Sequence, residues 1–379
     1  MNNPGYLRRS AWLLGAVSVG GFTTDYLFNL GLARLLSPHD YGDFKVAFSF
    51  ALFFGMAVLL GGDRAAPMVL APSIEQGERR RVGEYLRFYL GNALLLSAVL
   101  AAVVWTVSWL HVGSNDPLHH HPLAWVVLVV PLNAAAAMVS RTLQSAQRPA
   151  LAVLPWRIAL PALQLALLSL WVALRGSVRL LEAVAIATLV TALLTAVQWL
   201  WVRRLGLVEV AAGRDEGRPG EWLRASLPMM GTFLVALALN QSDVYFLELL
   251  GDEVEVGKYA AAATAAHLVL LVQTTVIGLV APIAKQAIDR GGAEAAATYR
   301  RSQGLLVKLA LPVALLLVAA ADPVLALFGA DYRSADAVLR WLTIGYLAWA
   351  CAAVPNLWLQ YQGLPRRVLA VSLTTLVVD

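Results

Sequence analysis

Apolar residues run along this chain in stretches of twenty or more, interrupted by short clusters of charged residues, glycine and proline. Within a stretch the apolar positions do not alternate with polar ones. The strands of a membrane barrel are thereby excluded, because their lumen-facing positions would be polar at every second residue. A helix rises about 1.5 Å per residue and crosses a hydrocarbon core of ~30 Å in about 20 residues. The stretches predict membrane helices over 8–35, 41–70, 84–110, 122–144, 150–174 and 179–203, then over 221–249, 256–288, 298–321 and 335–361, with a further one starting near Arg367. Between the two sets, residues 206–220 include Gly213, Arg214, Asp215, Glu216, Gly217, Arg218 and Pro219, a polar linker that lipid could not accommodate.

The pattern repeats. The turn Leu35-Leu36-Ser37-Pro38-His39-Asp40-Tyr41-Gly42-Asp43-Phe44 returns as a leucine, an acidic turn, a glycine and an aromatic at Leu250–Tyr259. Gly42 pairs with Gly257, Phe44 with Tyr259 and Pro67 with Pro282, each at an offset of 215, and Leu143-Gln144 pairs with Leu359-Gln360 at 216. Register kept over more than a hundred residues marks a duplication. The expected architecture is an all-α integral membrane protein of two parallel six-helix lobes around a central cavity: residues 1–205 (helices 1 to 6), a cytoplasmic linker 206–220, and 221–379 (helices 7 to 11). By the offset Asp379 matches Leu163, so the second lobe is expected to be incomplete, with about 11 helices in all.

Composition agrees with a membrane protein: 59% of residues are hydrophobic and 14% charged, against roughly a quarter charged in soluble domains. The net charge of +5 does not point to nucleic acid, because the basic residues are spread among loops rather than gathered on a soluble face. Their distribution carries other information. With the N-terminus inside, nineteen arginines and lysines, among them Arg79–Arg81, Arg203, Arg204 and Arg290, fall on the cytoplasmic side and six on the other, the asymmetry expected of cytoplasmic loops.

A single cysteine, Cys351, excludes a disulfide framework. His119–His121 form a run without cysteine or carboxylate company and read as a solvated loop, so no metal site is expected. No Gly-x-x-x-x-Gly-Lys loop occurs, which excludes ATP hydrolysis by this chain, and no cofactor is implied. The loops on the outer side are too short for the catalytic carboxylates of a membrane glycosyltransferase or ligase, so an enzyme is not expected.

Charges within the apolar stretches are the candidate chemistry. An ionisable group near the bilayer centre costs roughly 2.5–3.5 kcal/mol on insertion scales and faces a bundle interior or a wet cavity. Asp25 lies midway along the first helix, and its repeat mate is Asn240, followed by Gln241 and Asp243. These mark cavity-lining helices, or else structural glue between helices. Arg64 lies near the end of the second helix, and Arg157 lies in the fifth between Pro155 and Pro161. A guanidinium fork suits phosphate, against the plainer readings that Arg64 pairs with Asp63 and Arg157 anchors a helix end. Arg141 and Lys285 read as interfacial anchors.

The turn Ala33–Gly42, the run Gly61-Gly62-Asp63-Arg64-Ala65-Ala66 and the basic loop Glu78–Arg81 resemble the polysaccharide-biosynthesis, or O-antigen flippase, branch of the multidrug/oligosaccharidyl-lipid/polysaccharide exporter superfamily. The resemblance implies a flippase of the bacterial inner membrane that serves lipopolysaccharide O-antigen assembly. It would move an undecaprenyl-pyrophosphate-linked oligosaccharide by alternating access, with a proton or sodium gradient as a driving force and polysaccharide assembly proteins as neighbours. A cation-coupled multidrug exporter of the same superfamily is the alternative. Its cavity would favour carboxylates, whereas here Arg64 and Arg157 at least balance Asp25 and Asp243.

Overall fold

A computed structural model describes residues 4–110, 123–209, 219–250 and 253–362, and the described residues are helical apart from short turns. In chain order the helices are α1 (Pro4–Leu35), α2 (Pro38–Ala57), α3 (Gly62–Glu75), α4 (Arg79–Leu110), α5 (Leu123–Val126) leading through a 3-10 turn into α6 (Val130–Ser145), and α7 (Pro149–Leu154). A π-helical turn (Pro155–Ala159) joins α7 to α8 (Leu160–Arg175), followed by α9 (Leu180–Arg204), α10 (Pro219–Leu250), α11 (Glu253–Arg290), α12 (Gly292–Ala319), α13 (Ala321–Ala326) and α14 (Asp336–Tyr361). The His119–His121 run, most of the 206–220 linker and the stretch beginning at Arg367 lie outside the described residues.

Seven of these helical segments are long and apolar enough to cross a membrane, and the bent pair α2–α3 makes an eighth. The protein is a multi-pass membrane protein. α1 and α10 are 32 residues each, about 48 Å at the helical rise, and their polar residues (Arg8, Arg9 and Asp25; Asn240, Gln241 and Asp243) dilute their hydropathy.

Local chemistry explains where the helices start. Ser37 caps α2 by accepting from the Asp40 amide at 3.1 Å, and Pro38 supplies a φ already suited to the first turn. Pro149 does the same for α7, and at α9 the Glu182 carboxylate accepts from the Arg179 amide at 2.9 Å.

The helix ends restate the duplication independently of residue identity. Glu75 and Arg290, where the second span of each copy ends, differ by 215. Ser145 and Tyr361, the ends of α6 and α14, differ by 216.

The second span departs from this symmetry. The sequence predicts one helix over 41–70, but the span breaks after Ala57 and resumes at Gly62 with a 47° bend, whereas α11 is continuous. Proline is not the cause, since Pro67 and Pro282 occupy matching positions. The chain reverses into left-handed backbone at Leu60 (φ 50°) and Gly61 (φ 77°), a conformation glycine adopts freely, and the Gly61-Gly62 pair has no counterpart at Val276-Ile277.

Two compact units are present: residues 35–257, and residues 1–34 together with 258–379. The unit of residues 35–257 includes α10, and the other includes α1. In the first unit α10 packs against α2 and α3, and one core runs from Leu59, Ala66 and Leu70 through Val82, Tyr85 and Tyr89 to Val130, Met138 and Trp222. In the second unit the end of α1 is tied down: the Tyr332 hydroxyl donates to the Ala33 carbonyl at 3.2 Å, Arg34 Nε donates to the Leu327 carbonyl, and the Tyr26 ring meets Phe328 edge-on at 5.8 Å. Val276, Val280 and Ala284 of α11 pack there with Leu306 of α12 and with Val354, Leu357 and Trp358 of α14.

Candidate functional site

The broken second span would strand backbone carbonyls that a continuous helix would satisfy, and within a membrane protein each would cost several kcal/mol without a partner. Neighbouring helices supply the donors. Ser226 of α10 donates to the Leu60 carbonyl at 2.7 Å, Tyr85 of α4 donates to the Gly62 carbonyl at 2.7 Å, and Tyr89 donates to the Ser226 hydroxyl at 3.0 Å. Trp222 closes the cluster, its ring 5.2 Å from that of Tyr85. The break is thus a built feature with three side chains devoted to it.

It presents Asp63 and Arg64 on the first turn of α3. Asp63 is 2% exposed, and Arg64 keeps a quarter of its side chain open. Arg64 Nε lies 3.0 Å from Asp63 Oδ2. Adjacent residues point about 100° apart on a helix, so the carboxylate sits off the N–H direction, and among the described residues Nε has no hydrogen-bond partner. The guanidinium carbon lies 3.4 Å from the centroid of the Phe233 ring of α10, a cation–π contact of the order of 0.5–2 kcal/mol. Arg141 of α6 acts electrostatically on both Asp63 and Arg64, and its Nη1 donates to Gln144 Oε1 at 2.7 Å. Two guanidinium groups thus act on one carboxylate, which leaves the cluster net positive, and the Arg64 guanidinium lies against an aromatic face. The open part of the Arg64 guanidinium can bind an anion.

The structure brings Arg64, Asp63 and Arg141 together within one unit. Arg157 is exposed on the π-helical turn, beside α9. Asp25 is exposed on α1 in the other unit, its carbonyl accepting from Asn29 Nδ2 at 2.8 Å. Asn240 and Asp243 lie on the helical backbone of α10, but their side chains lie outside the described residues, as does that of Lys285. Arg141, read as an anchor, belongs to the Arg64 cluster. Sequence reasoning also missed Phe233, Ser226, Tyr85 and Tyr89. The only sequence signal for them was the Gly61-Gly62 pair directly before Asp63, which marks a break needing donors without saying which helix provides them. Among the described residues no group of histidine, cysteine and carboxylate side chains could hold a metal ion.

The helical arrangement is that of a class of membrane transporters. It is similar to an inward-facing multidrug resistance MATE family transporter of the MOP superfamily, with a TM-score of 0.68 at 16% identity over 94% of this chain and 86% of that one. An outward-facing MATE family transporter gives 0.60 at 14% identity over 95% and 84%, and a eukaryotic MATE transporter gives 0.55 at 12% identity over 95% and 84%. No curated protein sequence matches the chain. Residues 7–287 match the family described as polysaccharide biosynthesis protein, and the chain belongs to that family.

Proposed function

We propose that the protein is a flippase that moves an undecaprenyl-pyrophosphate-linked oligosaccharide across the bacterial inner membrane by alternating access, with its N-terminus in the cytoplasm. The family supports the glycan, the fold supports transport, and the basic asymmetry of the loops supports the orientation. The observation that carries the choice of substrate is the cationic balance at the break in the second span. Arg64 and Arg141 against the single carboxylate of Asp63 form a site for an anion, and the pyrophosphate is the anionic part of a lipid-linked glycan. In this reading Arg157 adds a third guanidinium for the same cargo, and Asp25, Asn240 and Asp243 are further polar contacts along the helices that carry them. Transport draws on a proton or sodium gradient, and polysaccharide assembly enzymes act on either side of it.

Reconstitution into vesicles tests the proposal. The protein should translocate an undecaprenyl-pyrophosphate-linked oligosaccharide and leave a cationic dye where it is. The opposite result, dye efflux without glycan movement, would establish the multidrug-exporter reading instead.

A further inference from the structure

Pro155 lacks an N–H, so the Leu151 carbonyl four residues earlier loses its helical partner. Gln198, fully buried on α9, takes that place. Its Nε2 donates to the Leu151 carbonyl at 2.8 Å and to the Ala152 carbonyl at 3.1 Å, while its Oε1 accepts from the Trp156 indole at 2.8 Å. The orientation of the amide is unambiguous, because an indole N–H can only donate and so must face the amide oxygen. Ser140 of α6 gives the Ala152 carbonyl a further donor at 2.9 Å. The turn at Pro155–Ala159 is π-helical, closing with the Leu160 amide on the Pro155 carbonyl, and it holds one more residue than an α-turn would. Isolated turns of this kind concentrate at functional sites. Arg157 sits in its middle.

We infer that Gln198 is a positioning residue: by satisfying the Leu151 carbonyl that Pro155 leaves open, and bonding that of Ala152 beside it, it keeps this turn π-helical, and so sets the direction in which Arg157 leaves the fifth span. The role of the arginine as a substrate contact rests on the proposed function; the latch does not. The same device recurs in the other unit, where Gln303 of α12 donates through Nε2 at 3.0 Å to the Cys351 carbonyl, four residues before Pro355. There the glutamine oxygen has no hydrogen-bond partner among the described residues, whereas Gln198 uses both ends.

Hydrogen–deuterium exchange across residues 149–163 of the full chain in detergent, read beside its thermal midpoint, tests the latch without any transport assay. Losing the bonds to buried carbonyls should raise local exchange about tenfold or more in Gln198→Leu. Gln198→Glu should be no better, since it keeps an acceptor for Trp156 but loses the amide donor. In a Pro155→Ala background, where residue 155 regains an N–H for the Leu151 carbonyl, Gln198→Leu should cost far less. Labelling of an Arg157→Cys variant (with Cys351→Ala) by a water-soluble maleimide should change several-fold on adding Gln198→Leu, because the side chain turns. Equal losses from Gln198→Leu in both backgrounds would reduce Gln198 to packing, and wild-type behaviour of Gln198→Glu would assign the effect to Trp156; either overturns the inference. Failure of glycan transport with the exchange pattern as expected would instead count against the proposed function alone.

Discussion

Gly257, at the start of α11, is pressed against Pro38, at the start of α2: a Cβ built on Gly257 would run into the Pro38 carbonyl oxygen and lie 3.3 Å from the amide nitrogen of Gly42, its own repeat mate. The obstacle is backbone, which cannot rotate away as a side-chain tip can. Gly257→Ala should therefore destabilise the protein by more than the roughly 1–3 kcal/mol of ordinary overpacking. Gly278, on the same helix with nothing within 4 Å of its would-be Cβ, is the control. Gly278→Ala should be neutral or stabilising by up to about 1 kcal/mol. Thermal midpoints in detergent compare the two, and equal midpoints would refute the close approach.

The break in the second span depends on donors from other helices. Tyr85→Phe removes one donor from the Gly62 carbonyl, which keeps its place in the first turn of α3, whereas Ser226→Ala takes the side-chain donor from the Leu60 carbonyl and a partner from the Tyr89 hydroxyl. Each buried group left unsatisfied costs about 1–3 kcal/mol, so Ser226→Ala should lower the midpoint more than Tyr85→Phe. The reverse order would show that the bend is held by Gly61 and packing alone.

At Arg64, charge and fork geometry should separate. Glycan export should fall partly in Arg64→Lys, further in Arg64→Ala and furthest in Arg64→Glu, by roughly tenfold or more for each lost charge-assisted pair. Replacing Asp63 by Ala should not rescue Arg64→Ala. If it does, the arginine only neutralises its neighbour. Expression in the membrane is measured alongside, since misfolding would imitate loss of export.

Asp322 and Arg333 form a bidentate pair with contacts of 2.8 and 2.6 Å between α13 and the turn before α14. The hydrogen bonds from Arg333 hold the Asp322 carboxyl below its usual range. A carboxylate whose folded value is depressed adds stability above its unfolded value of about 3.9 and loses it as pH falls through the folded one. Asp322→Asn should thus lie below the wild type at neutral pH by a margin that does not change between pH 6 and 8. The two should converge only below about pH 4. A gap that closes near neutrality would assign the effect to another group.

The orientation has its own test. Alkaline phosphatase fused after Asp116 should be active and fused after Glu216 inactive, as the nineteen-to-six basic asymmetry requires. The reverse pattern would invert the proposed topology.

Helix positions were legible in the sequence because apolar length is set by bilayer thickness: spans drawn at 150–174 and 179–203 fall at 149–175 and 180–204. The duplication was legible because its glycines and prolines fix turns. The break at Leu60–Gly61 was not, since an apolar run reads the same whether straight or bent, and the glycine pair says only that bending is possible. The Arg64 cluster was half visible. Asp63 beside Arg64 could be read from order along the chain, but Arg141 and Phe233 reach it from helices that folding alone brings near. The π-turn could have been suspected from Pro155 and Pro161, yet its partner Gln198 lies 47 residues from Leu151, beyond any local rule.

The hydroxyl of Tyr332 that ties down the end of the first helix comes from a residue 299 positions after Ala33. At the roughly 5–20 residues per second of synthesis, that donor emerges about 15–60 seconds after its acceptor. Throughout this interval the segment bearing Asp25 is in the membrane before its final neighbours exist, held by lipid or by the insertion machinery. The helix α1 thus waits for a segment made much later, and mutations between α13 and α14 should act on biogenesis by prolonging the wait of a helix already inserted.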